Sequence, residues 1–302
     1  MNYTQTYKKM ITEAKTVFAT YIPSSQDLLE RISIVVCDPD SIEKETKKFC
    51  RKFRVNYYDT GFAPDGIFGQ TVNGDGEYGI VLNEEADDAD DSMFMTMWHE
   101  MAHCYAREYD GIACHMLDMP SFNEDFGELL RKRFNLNKGY DFWKEFIAES
   151  IAYYLMQKTD KYQYYVETIP NLDQMLENCL DCIDPSYGGD SDQDEYLYKY
   201  FALLFAERRQ KMITEHIDTT VNDPEVEYQL KGDTIMASGF AWIDENLKDA
   251  LGGIFEALYE QMNIEQFWIT DENFVMNLGI ERDKFIKALS EYNNNDFMEK
   301  AE

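Results

Sequence analysis

Residues 93–105 read Met93-Phe94-Met95-Thr96-Met97-Trp98-His99-Glu100-Met101-Ala102-His103-Cys104-Tyr105. Glu100 is the only charged residue in this stretch, in a chain that is 28% charged. Apolar residues fall on most sides of the helix it predicts, and such a helix is buried. His99 and His103 are four apart, so both imidazoles lie on one helical face. Glu100 is rotated about 100° from His99. Polar and charged groups in a core need partners. A metal ion held by the two imidazoles, with Glu100 beside it to polarise a water, satisfies all three.

Working outward, Glu77 to Asn83 (EYGIVLN) predicts a strand. The turn signal Asn73-Gly74-Asp75-Gly76 joins it to the short apolar piece Ile67–Val72 as a hairpin. The acidic run Glu84 to Asp91 places negative charge at the N-terminus of the His helix. Further back, apolar spacing predicts a helix from Tyr3 to about Thr20, with Pro23 after it. Ile32–Val36 predicts a strand, Ser41 the cap of a helix to about Phe53, and Val55–Tyr58 a further strand. After residue 92 the pattern is helical, over about 92–108, 123–134, 140–158, 166–182, 195–215, 243–261 and 282–291. The expected class is α+β, mostly α, with a small antiparallel sheet.

Composition narrows the function. The 302 residues hold 28 Lys+Arg against 58 Asp+Glu, a net charge of −30. Affinity for nucleic acid comes largely from cations at phosphates, so nucleic acid is not an expected partner, nor is an anionic membrane surface. No apolar run is long enough to span a bilayer, and the N-terminus lacks the apolar core of a secretory signal. Six cysteines scattered along the chain suit free thiols in a reducing cytoplasm. The acidity is uneven: residues 1–150 carry 16 basic against 27 acidic residues, and residues 151–302 carry 12 against 31.

Two imidazoles make an incomplete catalytic metal site, which generally has three protein ligands and one open position. In Asp141–Tyr154 (DFWKEFIAESIAYY), Glu145 and Glu149 stack at i and i+4 on an otherwise apolar helix. Ala148 and Ala152 flank them and allow close approach to the His helix. A plain reading as two acids at a solvated helix edge stays open. The lone pair Cys179-x-x-Cys182 reads as helix-packing thiols, and Tyr196, Tyr198, Tyr200, Phe201 and Phe205 read as core.

His99-Glu100-Met101-Ala102-His103, with Thr96 three before the first His and Tyr105 two after the second, resembles the zincin metallopeptidases. The metzincin branch is excluded, because Ala106 and Tyr109 stand where its Gly and third His belong. The chain looks like the gluzincin type, whose third ligand is a Glu on a second helix. The run Glu145–Ala152 (EFIAESIA) is also similar to the second-helix motif of peptidase domains in phage and mobile-element proteins, including the ArdC-type antirestriction family. The resemblance covers residues 77–155. It implies a zincin-like catalytic lobe over 1–160 and a helical C-terminal lobe over 161–302, packed as one unit.

It further implies one zinc ion on His99, His103 and Glu145, and Glu100 as general base. Glu149 would accept a hydrogen bond from a ligand imidazole; the reverse assignment of the two acids stays open. His115, His216, Tyr153 and Tyr154 are candidates for stabilising the oxyanion. Glu77–Asn83 stands where zincins hold an edge strand beside the cleft, though an ordinary core strand fits it equally. The expected partner is a peptide or protein substrate, more readily basic than acidic. The competing class is a silent zincin-fold binding protein, or an acidic DNA-mimic decoy, with a structural metal. A third possibility is a peptidase autoinhibited by its own C-terminal lobe.

Overall fold

The computed structural model describes residues 3–22, 24–57, 68–84, 90–109, 126–168, 171–181, 191–214, 231–232, 234–235, 238–239, 243–261 and 272–299. His115, His216, Cys182 and most of the acidic run after Glu84 lie outside these residues. Two compact units emerge: residues 1–109 with 151–169, and residues 110–150 with 170–302. Mostly helical, with one small sheet, the chain has the expected α+β class. Among the described residues no helix is long and apolar enough to cross a membrane.

In the first unit α1 (Tyr3–Tyr21) and α2 (Gln26–Glu30) precede β1 (Ile32–Cys37). A 3-10 turn (Pro39–Ser41) leads into α3 (Ile42–Phe53). Ser41 does not cap that helix; its hydroxyl donates to Asp38 Oδ2 at 3.0 Å, because Pro39 has already begun the turn. No strand forms over residues 55–57. Arg54 ends α3 in the left-handed conformation, and the Val55 N–H returns to Cys50 O at 3.0 Å. The hairpin is present as β2 (Gly69–Gly74) and β3 (Glu77–Asn83). Its two turn residues, Asp75 and Gly76, have φ of 52° and 76°. Such a pair suits a two-residue turn matched to strand twist.

Strand order is β1-β3-β2, with β1 parallel to β3 and β2 antiparallel to it. The sheet is therefore mixed, and Glu77–Asn83 is its central strand, not an edge. Six consecutive buried residues in β3 have the pattern of a strand flanked on both sides and both faces. The edge position belongs to β2.

Alternation along β2 sets the layers. Gln70 and Val72 face α3: Thr46 donates to Gln70 Oε1 at 3.0 Å, and Val72 joins Ile42, Phe49, Phe53 and Val81 in one core cluster. Gly69 and Thr71 face the opposite way, onto α4 (Asp90–Tyr109). Beyond α4 lies α1, where Ala14 O accepts from the Trp98 indole at 3.1 Å and Phe18 meets Tyr105 edge-on. Helix α4 is thus packed on two sides, and Met97, Trp98, Met101, Ala102 and Cys104 have no exposed surface.

Helix α5 (Phe126–Gln157) is continuous; residues 126–150 count with the second unit and 151–157 with the first. In the first unit its last turns set Tyr153 edge-on to Tyr165 of α6 (Tyr162–Thr168). Two helices with a break near residues 135–139 were expected here. Gly139 lies where α5 crosses α10 (Glu272–Glu299): a Cβ added there would stand 1.8 Å from Val275 O. The reciprocal contact is at Gly279, where a Cβ would stand 2.0 Å from Asn135 O. Conversely, the helix expected over 166–182 is two, α6 and α7 (Leu172–Asp181), with Pro170 between them.

The second unit also contains α8 (Ser191–Thr214) and α9 (Glu245–Gln261). Its core is an aromatic chain. Trp143 meets Phe274 edge-on at 5.1 Å, Phe146 meets Phe205 edge-on at 5.9 Å, and Phe205 stacks on Phe255 at 5.9 Å. Tyr200, Phe201 and Phe205 are buried, as expected of core residues, whereas Tyr196 and Tyr198 are only half-buried.

Candidate metal centre

The helical spacing of His99 and His103 brings their Nε2 atoms to 3.0 Å, with the rings nearly perpendicular. Two Nε2 atoms this close cannot each donate to the other, so at least one presents a lone pair. Glu145 completes the group: one ligand atom from each of His99, His103 and Glu145 lies within 4.8 Å of the others. Among the described residues this is the only such group of three or more His, Cys, Asp or Glu. All three side chains are half-buried, so a ligand can reach them. On one tetrahedral zinc two imidazole nitrogens stand about 3.3 Å apart, close to the separation found. Two imidazoles and one carboxylate are a donor set of catalytic zinc that leaves a fourth position open. The residues present therefore fit a divalent metal.

Glu100, 8% exposed, follows His99 on α4 and is not among the three grouped ligand residues. Its Oε2 accepts a hydrogen bond from the Thr71 hydroxyl at 2.5 Å. Gly69, two residues earlier on β2, leaves room for the rest of the carboxylate; a Cβ there would stand 2.8 Å from both Glu100 Cγ and Oε1. Cys104, one turn along α4, donates to Glu100 O at 3.4 Å. Burial pushes the Cys104 thiol up, and the Glu100 charge adds to the effect, so the thiol stays protonated and unreactive.

Glu149, one turn after Glu145, is 4% exposed and so is not at a solvated helix edge. Its charge acts on Lys199 of α8. Burial pulls the Lys199 ammonium down, but the nearby charges of Glu149 and Glu195 outweigh this and raise it. Ser150 O accepts from the Arg209 guanidinium at 3.2 Å, anchoring α8 to the same turn of α5. At the far end of α4, Glu108 accepts from Arg31 at 2.7 Å and from the Tyr78 hydroxyl at 2.9 Å. Those bonds hold its carboxyl below the usual range.

Thr71 and Gly69 carry no signal in the sequence. Their importance lies in the pairing of β2 with β3, which turns the Thr71 side chain and the bare α-carbon of Gly69 toward α4. The backbone of β2 follows the same logic. Asn83 N–H donates to Phe68 O at 3.0 Å, and Gly74 pairs with Glu77 at the turn. Hydrogen-bonded and non-hydrogen-bonded pairs alternate in an antiparallel ladder. Phe68, Gln70, Val72 and Gly74 therefore direct their N–H and C=O groups to β3. Gly69, Thr71 and Asn73 direct theirs to the outer edge, where no strand pairs among the described residues.

Compared with models of protein families, with curated proteins and with solved structures, the chain matches none.

Proposed function

We propose that the chain is a zinc-dependent metallopeptidase of gluzincin type, with His99, His103 and Glu145 as the zinc ligands. The observation that carries this reading is the convergence of those three side chains, with Glu100 next to His99 on the same helix, held by Thr71 and outside the ligand set. When bound there, zinc supplies Lewis acidity that brings the pKa of a water to about 7.

The residues of the chain account for the remaining steps. An extended peptide pairs with the outward N–H and C=O groups of Gly69 and Thr71 on the edge strand β2, which fixes the scissile bond beside α4. The Glu100 carboxylate takes a proton from the attacking water, whose oxygen bonds to the scissile carbonyl carbon. Glu100 then returns that proton to the amide nitrogen as the carbon–nitrogen bond breaks, releasing a carboxylic acid and an amine, between which the remaining acidic proton is exchanged. Tyr153 is 2% exposed, packed against Tyr165. Tyr154 is less enclosed.

A basic peptide suits this chain best. Helix α3 carries Lys44, Lys47, Lys48, Arg51 and Lys52, but it lies on the face of the sheet away from α4. The chain as a whole carries a net charge of −30, which attracts a basic ligand. Cys37, Cys50, Cys104 and Cys179 are free thiols, which suits a cytoplasmic setting.

The test is digestion of a peptide library by wild type and by Glu100→Gln. The reading expects cleavage by wild type, loss of cleavage in the variant, and equal zinc content in both. No cleavage by either, at full zinc content, would leave a silent binding protein as the better reading.

A further inference from the structure

We propose that Thr71 is a positioning residue for Glu100, which couples the seating of a peptide on β2 to the aim of the general base. This inference rests on the peptidase reading above and deepens it.

Three observations converge on Thr71. Its hydroxyl donates to Glu100 Oε2 at 2.5 Å, so one carboxylate oxygen is committed and Oε1 is the one left to take a proton. Glu100 is 8% exposed, so water cannot readily replace that donor. The pairing Thr71↔Ile80 falls between hydrogen-bonded pairs, which turns the Thr71 backbone outward to the free edge. Side chain and backbone of one residue thus touch the base and the peptide's pairing edge.

A peptide that pairs with the Thr71 backbone fixes the depth of the strand against α4, and with it the hydroxyl that orients Glu100. Small displacements of a catalytic group are costly, because proton transfer needs near-ideal geometry. Gly69 belongs to the same device: it clears the space that the committed carboxylate occupies. An ordinary packing role for Thr71 would not need the hydroxyl, since valine has nearly the same shape.

The experiment compares Thr71→Val and Thr71→Ser with wild type, each loaded with zinc, on a peptide that wild type cleaves. The expected result for Thr71→Val is a fall in kcat of about 10–100-fold, KM within about twofold, and unchanged zinc content. Thr71→Ser restores kcat to within about threefold of wild type. A second readout is independent of activity. In the metal-free protein Thr71→Val lowers the Tm by about 2–6 °C, and by less than half as much in a Glu100→Gln background. Thr71→Val with wild-type kcat, or a loss that serine does not restore, overturns the inference and leaves the peptidase reading intact. Zinc-loaded wild type that cleaves nothing overturns both.

Discussion

The crossing of α5 and α10 gives a stability prediction whose sign runs against helix propensity. Alanine is favoured over glycine in a helix interior by about 1 kcal/mol, so Gly139→Ala should stabilise if local preference governs. The structure predicts the opposite. An alanine Cβ at 139 would stand 1.8 Å from Val275 O and 2.9 Å from Val275 C, both backbone atoms that no rotamer change can move. Restoring even a 3.0 Å contact requires the two helices to part by about 1.2 Å. Overpacking of this kind costs about 3 kcal/mol, and the propensity gain offsets about one of these. The expected net is a destabilisation of roughly 2 kcal/mol, or a Tm lower by about 4–8 °C. Gly252, inside α9, is the matched control, because a Cβ there meets nothing within 4 Å. Gly252→Ala should raise stability by about 0.5–1 kcal/mol. Thermal unfolding followed by circular dichroism reads both. A Gly139→Ala protein as stable as wild type, or more so, would refute the close crossing and the continuous helix that carries Glu145.

At the centre itself, Gly69→Ala forces the Glu100 carboxylate back by about half an ångström, from a 2.8 Å approach to ordinary contact. The fold and zinc content should survive while kcat falls about tenfold, measured by steady-state kinetics with metal analysis. Glu108→Gln tests the Arg31 and Tyr78 bonds. The Glu108 carboxyl is held low in the folded protein, so its stabilisation is fully present above the unfolded value of about 4.3 and is lost as pH falls through the lower folded value. A third of each side chain is exposed, so the gap between wild type and Glu108→Gln should be about 0.5–1 kcal/mol at pH 7. It should vanish in denaturation curves taken well below pH 4. Cleavage of a basic peptide should slow as salt rises from about 0.05 to 0.5 M, with a rising KM, because the attraction acts over a Debye length.

The features legible in the sequence are those with local signatures. The burial of α4 follows from the apolar surround of His99, Glu100 and His103, and the hairpin from Asp75-Gly76. What the sequence hides depends on partners distant along the chain. The residues around Gly139 read as a gap between two helices, because nothing local shows that Val275 O needs the space a side chain there would fill. Glu77–Asn83 reads equally as an edge or a core strand until β1 pairs along its other side. Ser41 looks like a cap until Pro39 starts the turn before it. The centre divides in the same way: the imidazoles share a helix and are read from spacing, whereas the choice of Glu145 over Glu149 comes only from the resemblance to gluzincins. Thr71 and Gly69 are ordinary strand residues whose role comes only from the register of β2 against β3. Glu149 has the burial expected of an acid with a structural partner, and the charge beside it is Lys199.

The central claim is that His99, His103 and Glu145 bind one zinc ion. Its most direct test is elemental analysis of protein dialysed against trace zinc, comparing wild type with the double variant His99→Ala/His103→Ala. Close to one zinc per chain in wild type and almost none in the double variant is the predicted result. Equal zinc in both proteins, or none in correctly folded wild type, would contradict it.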